Sequence, residues 1–299
     1  MDKLAPIVLF VYNRPEHTKR TVEALLNNTL AKKSTVFVFS DGAKNDSDVK
    51  KVNTVRTYIK SLKSFDKIEI REREKNFGLA KSIITGVNEI LNIYNEIIVL
   101  EDDIVTMPYF LTFMNRSLDF YRSNKKIFSV SGYSYPIEIP DSYKKDVFIS
   151  HRTSSWGWGT WKDRWQNVDW EVKDFDSFVK DKNAQKLFNR AGEDVTPMLK
   201  AQIWGEIDSW AIRWTYAHFK QNAYCLLPVR PFCKNIGTDK SGTHSSASKK
   251  FDVDLTDNKG DLNLTNDVNI EDEIMRHIRK LVKPSLIRYF INRVKDYVH

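Results

Sequence analysis

The first hundred residues alternate apolar runs with amphipathic stretches. Apolar runs fall at 7–12, 36–40, 68–70 and 97–100, each a few residues long and rich in Ile, Val and Phe. Between them, 15–26, 48–62 and 79–93 place apolar side chains at helical spacing, and Pro15 stands where a first helical residue tolerates proline. Short runs alternating with helices of this length predict βαβ units and a parallel sheet. Such a sheet binds ligands beyond the carboxyl ends of its strands. Three polar clusters stand at those ends: YNRPEH from residue 12, SDGAKND from residue 40, and EDD at 101–103.

The pattern changes near residue 135. All eight tryptophans lie between 156 and 214, and none precedes them. This predicts a domain over 1–250, with a nucleotide-type half at 1–134 and a half at 135–250 built to meet a different ligand. The Gly/Ser/Lys-rich stretch at 237–250 predicts a mobile loop. Residues 252–271 are acidic, rich in Asn and weakly patterned, so 251–273 is expected to be a poorly ordered linker. Over 274–299 apolar residues return at helical spacing, interrupted at Pro284, with Arg and Lys on the other face.

Composition narrows the function classes. At 41% apolar and 12% aromatic residues, the chain can form a sizeable core and is not globally disordered. No stretch approaches the ~20 apolar residues of a membrane span. The N-terminal apolar run is too short for a secretory leader and is followed by a polar turn, which predicts a first strand in a cytoplasmic protein. Two cysteines, Cys225 and Cys233, have no second pair to complete a zinc site and give no disulfide framework. The net charge of +8 raises nucleic acid as a partner, but 274–299 carries seven Lys or Arg against one acid and so supplies +6 of it. The remainder is near balance. That tail reads either as a helix packed on its own domain or as a basic amphipathic helix on an anionic membrane surface.

Candidate chemistry starts at EDD. Three consecutive carboxylates follow the apolar run at 97–100 directly, and two carboxylates about 4 Å apart repel by roughly 4 kcal/mol at an effective dielectric near 20. Carboxylate oxygens suit Mg2+ or Mn2+, which holds one or two of them together with phosphate oxygens. The run SSWGWGTWKDRW places Trp156 and Trp158 beside glycines, where aromatic faces could stack on sugar rings or simply pack a core. In QIWGEIDSWAIRW, Glu206 and Asp208 precede a helical pattern, where by themselves they read as helix-capping acids.

The ordered set YNRPEH, SDG, NFGLAKS and VLEDD resembles the GT-A nucleotide-sugar glycosyltransferases over roughly residues 5–245. The likeness is to the inverting branch, including the metal-dependent N-acetylglucosaminyltransferases, whose acidic motif is also Glu-Asp-Asp. The dinucleotide fingerprint G-x-G-x-x-G is absent, which argues against a dehydrogenase. The resemblance implies an α/β GT-A fold and transfer of a sugar from a UDP-sugar to a glycan hydroxyl with inversion. Tyr12, Asn13 and Arg14 would line the base and ribose, and Asp41 would accept the uracil N3–H. Gly78 and Lys81 would approach the phosphates. Asp103 would hold the metal, with Asp102 near ribose or sugar hydroxyls and Glu101 near the donor sugar. Asp208, with Glu206 as runner-up, would be the base. His244 would close over the diphosphate and could ligate the metal. A lipid-linked acceptor in surface polysaccharide assembly would place the enzyme on the inner face of the membrane. The rival classes are a non-catalytic nucleotide-sugar or glycan-binding module, and a nucleic-acid-binding protein using the basic tail.

Overall fold

The structure, a computed structural model, describes residues 4–239, 249–255 and 262–285. Its first half follows the alternation: β1 (Ile7–Val11), α1 (Pro15–Leu26), β2 (Thr35–Ser40), α2 (Asp46–Ser61), β3 (Lys67–Glu72), α3 (Leu79–Ile93) and β4 (Glu96–Glu101). There follow β5 (Ile104–Thr106), α4 (Phe110–Phe120), β6 (Ile127–Ser131), β7 (Val147–Ser150) and β8 (Trp158–Trp161). Helices α5 (Lys162–Trp165), α6 (Phe175–Lys180), α7 (Lys182–Phe188), α8 (Val195–Ile203) and α9 (Trp210–Lys220) lead to β9 (Tyr224–Pro228), β10 (Cys233–Asn235) and α10 (Asp272–Val282).

The main sheet has strand order β3-β2-β1-β4-β8-β6-β9-β7. Strands β3, β2, β1 and β4 run parallel, β8 is antiparallel to both β4 and β6, β6 and β9 are parallel, and β7 closes the far edge antiparallel. The chain winds outward from β1 to β3 and returns to the other side of β1 as β4. The crevice beyond β1 and β4 is therefore a topological switch point, the usual ligand position in such sheets.

Both faces of the sheet are covered, and strand alternation sorts the side chains. Ile7, Leu9, Val36, Val38, Ile98 and Leu100 enter the core under α1, α2 and α4. Val8, Phe10, Phe37, Phe39, Ile97 and Val99 enter the opposite core under α3 and α9. The tryptophan run obeys the same rule. In β8, Trp158 goes to one core and Trp161 to the other, as a period of two requires. A smaller cluster built on Phe178, Phe188, Leu199 and Tyr216 ties α6 to α9.

The expected linker behaves differently from its composition. Leu262, Leu264, Val268 and Ile270 pack against the main core, and the Tyr121 hydroxyl donates to Thr265 O at 2.7 Å. Helix α10 covers its own apolar face: Ile274, Met275, Ile278 and Val282 are buried on the domain. That face is not available to a membrane, and residues 286–299 lie outside the described residues. Among the described residues, no helix is long and apolar enough to cross a membrane.

Candidate active site

The loop after β1 and the loop after β4 meet at the switch point. Pro15 opens α1, and Arg14, held out of the helical region by the following proline, aims its guanidinium across the crevice. It contacts Asp102 and lies 2.9 Å from Asp103 Oδ2. The cation facing the acidic cluster is thus part of the chain. Burial alone would lower the Arg14 pKa, but the charges of Asp102 and Asp103, and its hydrogen bonds to them, outweigh that and raise it.

One guanidinium does not satisfy three carboxylates. Asp103 Oδ1 is buried without a hydrogen-bond partner among the described residues. Burial raises the Asp102 pKa against the opposing pull of Arg14, and the charge of Asp103 adds to the rise. Burial, then the charges of Asp103 and Asp102, push Glu101 up to about 8, with Arg14 only partly opposing. So raised, Glu101 is mostly protonated near neutral pH, and a further positive partner beside the cluster would favour its ionised form.

The segment after β10 forms the roof. β10 pairs antiparallel with β5, directly behind the acidic motif. Ile236 N–H donates to Asp103 O at 2.8 Å. Gly237 then passes so close that a Cβ on it would fall 2.2 Å from Asp103 Oδ2 and 2.8 Å from Arg14 Nη1, so no side chain fits there. The roof is fastened at its end by Asp239, whose Oδ2 lies 3.1 Å from His17 Nε2 on α1.

The loop carrying NFG is organised from β2. Asp41, 6% exposed, accepts the backbone N–H groups of Phe77 and Gly78 at 3.0–3.1 Å and that of Gly42 at 3.1 Å. Its carboxylate is therefore committed to the loop, and pairing with a base N–H requires it to share or release one of those donors. Gly78 has φ +74°, a conformation that favours glycine, and it opens α3. Lys81 is exposed on the first turn of α3, with Nζ 4.8 Å from the centre of the Phe77 ring.

Two expected base contacts are engaged elsewhere. The Tyr12 hydroxyl donates to Asp48 Oδ2 at 2.9 Å, and Asn13 Nδ2 donates to Asp48 Oδ1 at 2.7 Å. Burial, then the bond to Asp48, raises the Tyr12 pKa to about 12. Asp48 escaped the sequence reading because an acid in the first turn of a helix needs no other explanation. Gly237 was missed because it begins a stretch that composition marks only as loop.

Asp208 comes to the same edge from the other half. A Cβ on Gly78 would lie 3.7 Å from Asp208 Oδ2, so the carboxylate stands over the start of α3. It is exposed, as is Glu206. The cap of α9 is Ser209, whose hydroxyl accepts from Ile212 N–H at 3.4 Å, so Asp208 is not the capping residue. Trp156 is half-buried at this edge, with its ring edge-on to Tyr133 at 4.5 Å. Trp158 cannot stack on a ligand: it is fully buried, and Trp165, Trp210 and Trp214 surround its ring with centroids 5.1–5.9 Å away. Its place at the centre of the sheet overrides the exposure its glycine neighbours suggested. His244 lies outside the described residues.

Residues 7–178, more than half of the chain, match the family described as Glycosyl transferase family 2. The chain belongs to that family. No curated protein matches it. Among solved structures, S. aureus TarS 1-349 is similar over 76% of this chain and 59% of its own, at 12% identity and a TM-score of 0.43. The mannosyltransferase PcManGT from Pyrobaculum calidifontis, solved with GDP-Man and Mn2+, is similar over 54% of this chain and 46% of its own, at 11% identity and a TM-score of 0.35. The chain thus spans less than two thirds of either relative.

For a family-2 transferase, the crevice has a donor set suited to a hard divalent cation. Among the described residues, no group of three or more His, Cys, Asp or Glu side chains could hold a metal by itself. Asp103 offers one buried carboxylate oxygen that has no hydrogen-bond partner among the described residues. That fits an ion held by one or two carboxylates and completed by phosphate oxygens and water.

Proposed function

We propose that this family-2 glycosyltransferase transfers a sugar from a UDP-sugar to a hydroxyl of a glycan acceptor, with inversion and with help from a divalent metal. The observation that carries the reading is the Asp103 oxygen beside Arg14 at the switch point of the sheet, buried with no hydrogen-bond partner among the described residues. Asp103 would hold Mn2+ or Mg2+, and such an ion, when bound, neutralises charge on the departing diphosphate.

The chain's own residues supply the rest. Arg14 fixes Asp102 and Asp103 and adds fixed positive charge where the diphosphate sits. The first turn of α3 and Lys81 favour the phosphates from the other side. Asp41 holds the 77–78 loop that borders the base, and Asp48 holds Tyr12 and Asn13. Glu101 and Asp102 face the sugar and ribose. Asp208 accepts the proton of the acceptor hydroxyl as its oxygen bonds to the anomeric carbon and the bond to the diphosphate oxygen breaks. Attack from the face opposite the leaving group inverts the anomeric centre.

A panel of UDP- and GDP-sugars, scored for nucleotide release with a glycan acceptor, tests this reading. UDP-sugars should turn over, and Asp208→Asn should lose roughly 10²–10⁴-fold in kcat, the usual contribution of a positioned general base. Nucleotide binding without turnover in the wild type would make the chain a binding module, and turnover with GDP-sugars alone would overturn the choice of base.

A further inference from the structure

A second cavity lies on the Trp-rich side of the same edge. Its volume is about 190 Å³, and Tyr133, Trp156, Phe251, Met198, Ala211 and Ile212 form most of its apolar wall. At ~30 Å³ per water molecule that is room for about six waters, below the ~300 Å³ of a small drug pocket. That is room on the scale of one six-membered ring with its substituents.

The polar groups around the cavity are mostly satisfied, and this defines what it accepts. Arg152 meets Asp194 through two hydrogen bonds of 2.8 Å, so the one charged side chain in the lining is already neutralised. The Tyr133 and Tyr135 hydroxyls donate to Phe251 O and Thr153 O, both at 2.8 Å, and present their rings as apolar surface. Thr215 donates to Ala211 O and lies 2.6 Å from the Thr153 hydroxyl. Ser154 accepts from Trp156 N–H at 3.3 Å and keeps its own proton to donate. Aromatic walls, a serine donor and no net charge suit an uncharged sugar ring, which has apolar C–H faces and hydroxyl edges.

Position assigns the ring a role. Asp208 stands two residues ahead of α9, beside Gly78, while Ala211, Ile212 and Thr215 of that helix line the cavity. One short element therefore separates the nucleotide side from the cavity and carries the proposed base between them. We propose that this cavity is an acceptor subsite that seats a single uncharged sugar ring between Trp156 and Ile212, so that the enzyme extends neutral terminal sugars and rejects acidic ones. The proposal rests on the transferase reading of the neighbouring crevice.

Saturation-transfer NMR with methyl β-glucoside, methyl β-N-acetylglucosaminide and methyl β-glucuronide tests it directly, with UDP and Mn2+ titrated separately. At least one neutral glycoside should bind the wild type and the glucuronide should bind about tenfold more weakly. Ala211→Phe, which fills the cavity, and Trp156→Ala, which removes its half-exposed wall, should each weaken the neutral glycoside by about tenfold while changing UDP affinity less than about twofold. Thermal melts establish that each variant is folded, and either variant alone suffices for the comparison. Absence of neutral glycoside binding, equal binding of the glucuronide, or unaltered binding in a folded variant would each overturn the subsite. If glycosides bind as expected but UDP does not, the sugar site stands and its acceptor role is overturned.

Discussion

The two halves of the sheet use their side chains in opposite ways. At β1 and β4 the strand interiors are apolar and charged residues collect at their carboxyl ends, where Arg14, Asp102 and Asp103 face one another and Asp103 Oδ1 has no hydrogen-bond partner among the described residues. Around β8 and α9, the large aromatic residues turn inward: Trp158, Trp161, Trp165, Trp210 and Trp214 are each at most 2% exposed, leaving Trp156 at the rim. The first half keeps a buried charge cluster beside its crevice, whereas the second closes its ring surfaces on themselves. The second half is closed in shape rather than in hydrogen bonding, since the buried Trp158 and Trp214 indole N–H groups have no partner among the described residues.

Two substitutions separate these regimes, starting with the larger effect on stability. Trp158→Ala should destabilise the fold by about 3–5 kcal/mol, because it empties the middle of a closed aromatic cluster. Asp103→Asn should leave the melting temperature far closer to wild type while removing function. Parallel thermal melts and turnover assays check the pair; equal losses of stability would erase the distinction between the halves.

A smaller effect sharpens the description of the closed half. His218 Nδ1 donates to Trp214 O at 2.8 Å and Nε2 accepts from the Ser129 hydroxyl at 2.8 Å, so the ring is held neutral. Burial lowers its pKa to about 3, the bond to Trp214 O only partly opposing. The unfolded chain binds this proton first, so the contribution of His218 is complete above the ordinary value of 6.5 and falls as pH drops towards 3. By pH 5 the loss from this group should reach roughly 2 kcal/mol. His151, lowered to about 4 by burial and then by the charges of Arg190 and Arg279, acts in the same direction. Urea midpoints at pH 7 and pH 5 measure the loss, and His218→Gln should flatten much of it.

The first half was legible because period and position coincide there. Helices over 15–26 and 79–93 match α1 and α3 end to end, and the 48–62 pattern differs from α2 by one or two residues. The polar clusters mark the strand ends because a parallel sheet covered on both faces leaves its loops as the place for charge. The second half hid its architecture for a physical reason. WGTW reads as an aromatic cluster beside glycines, yet it is a central strand in which a Cβ on Gly159 would fall 2.8 Å from Ile97 O. That closeness is a tertiary demand which no local pattern encodes. Likewise, Arg14 as partner of the acidic motif, Asp48 as the anchor of Tyr12, and Asp41 as the anchor of the NFG loop depend on contacts between segments 36 to 88 residues apart. Spacing announced that a cation was needed at EDD, and the folded chain shows that Arg14 answers only part of that need.

Calorimetric titration of UDP into the wild type and Asp103→Asn, each with Mn2+ and with a chelator, tests the central claim most directly. The wild type should bind UDP at least about tenfold more tightly with Mn2+ than with the chelator, and Asp103→Asn should lose that difference. Metal-enhanced binding of the same size in Asp103→Asn, or none in the wild type, would contradict a cation site at the acidic motif.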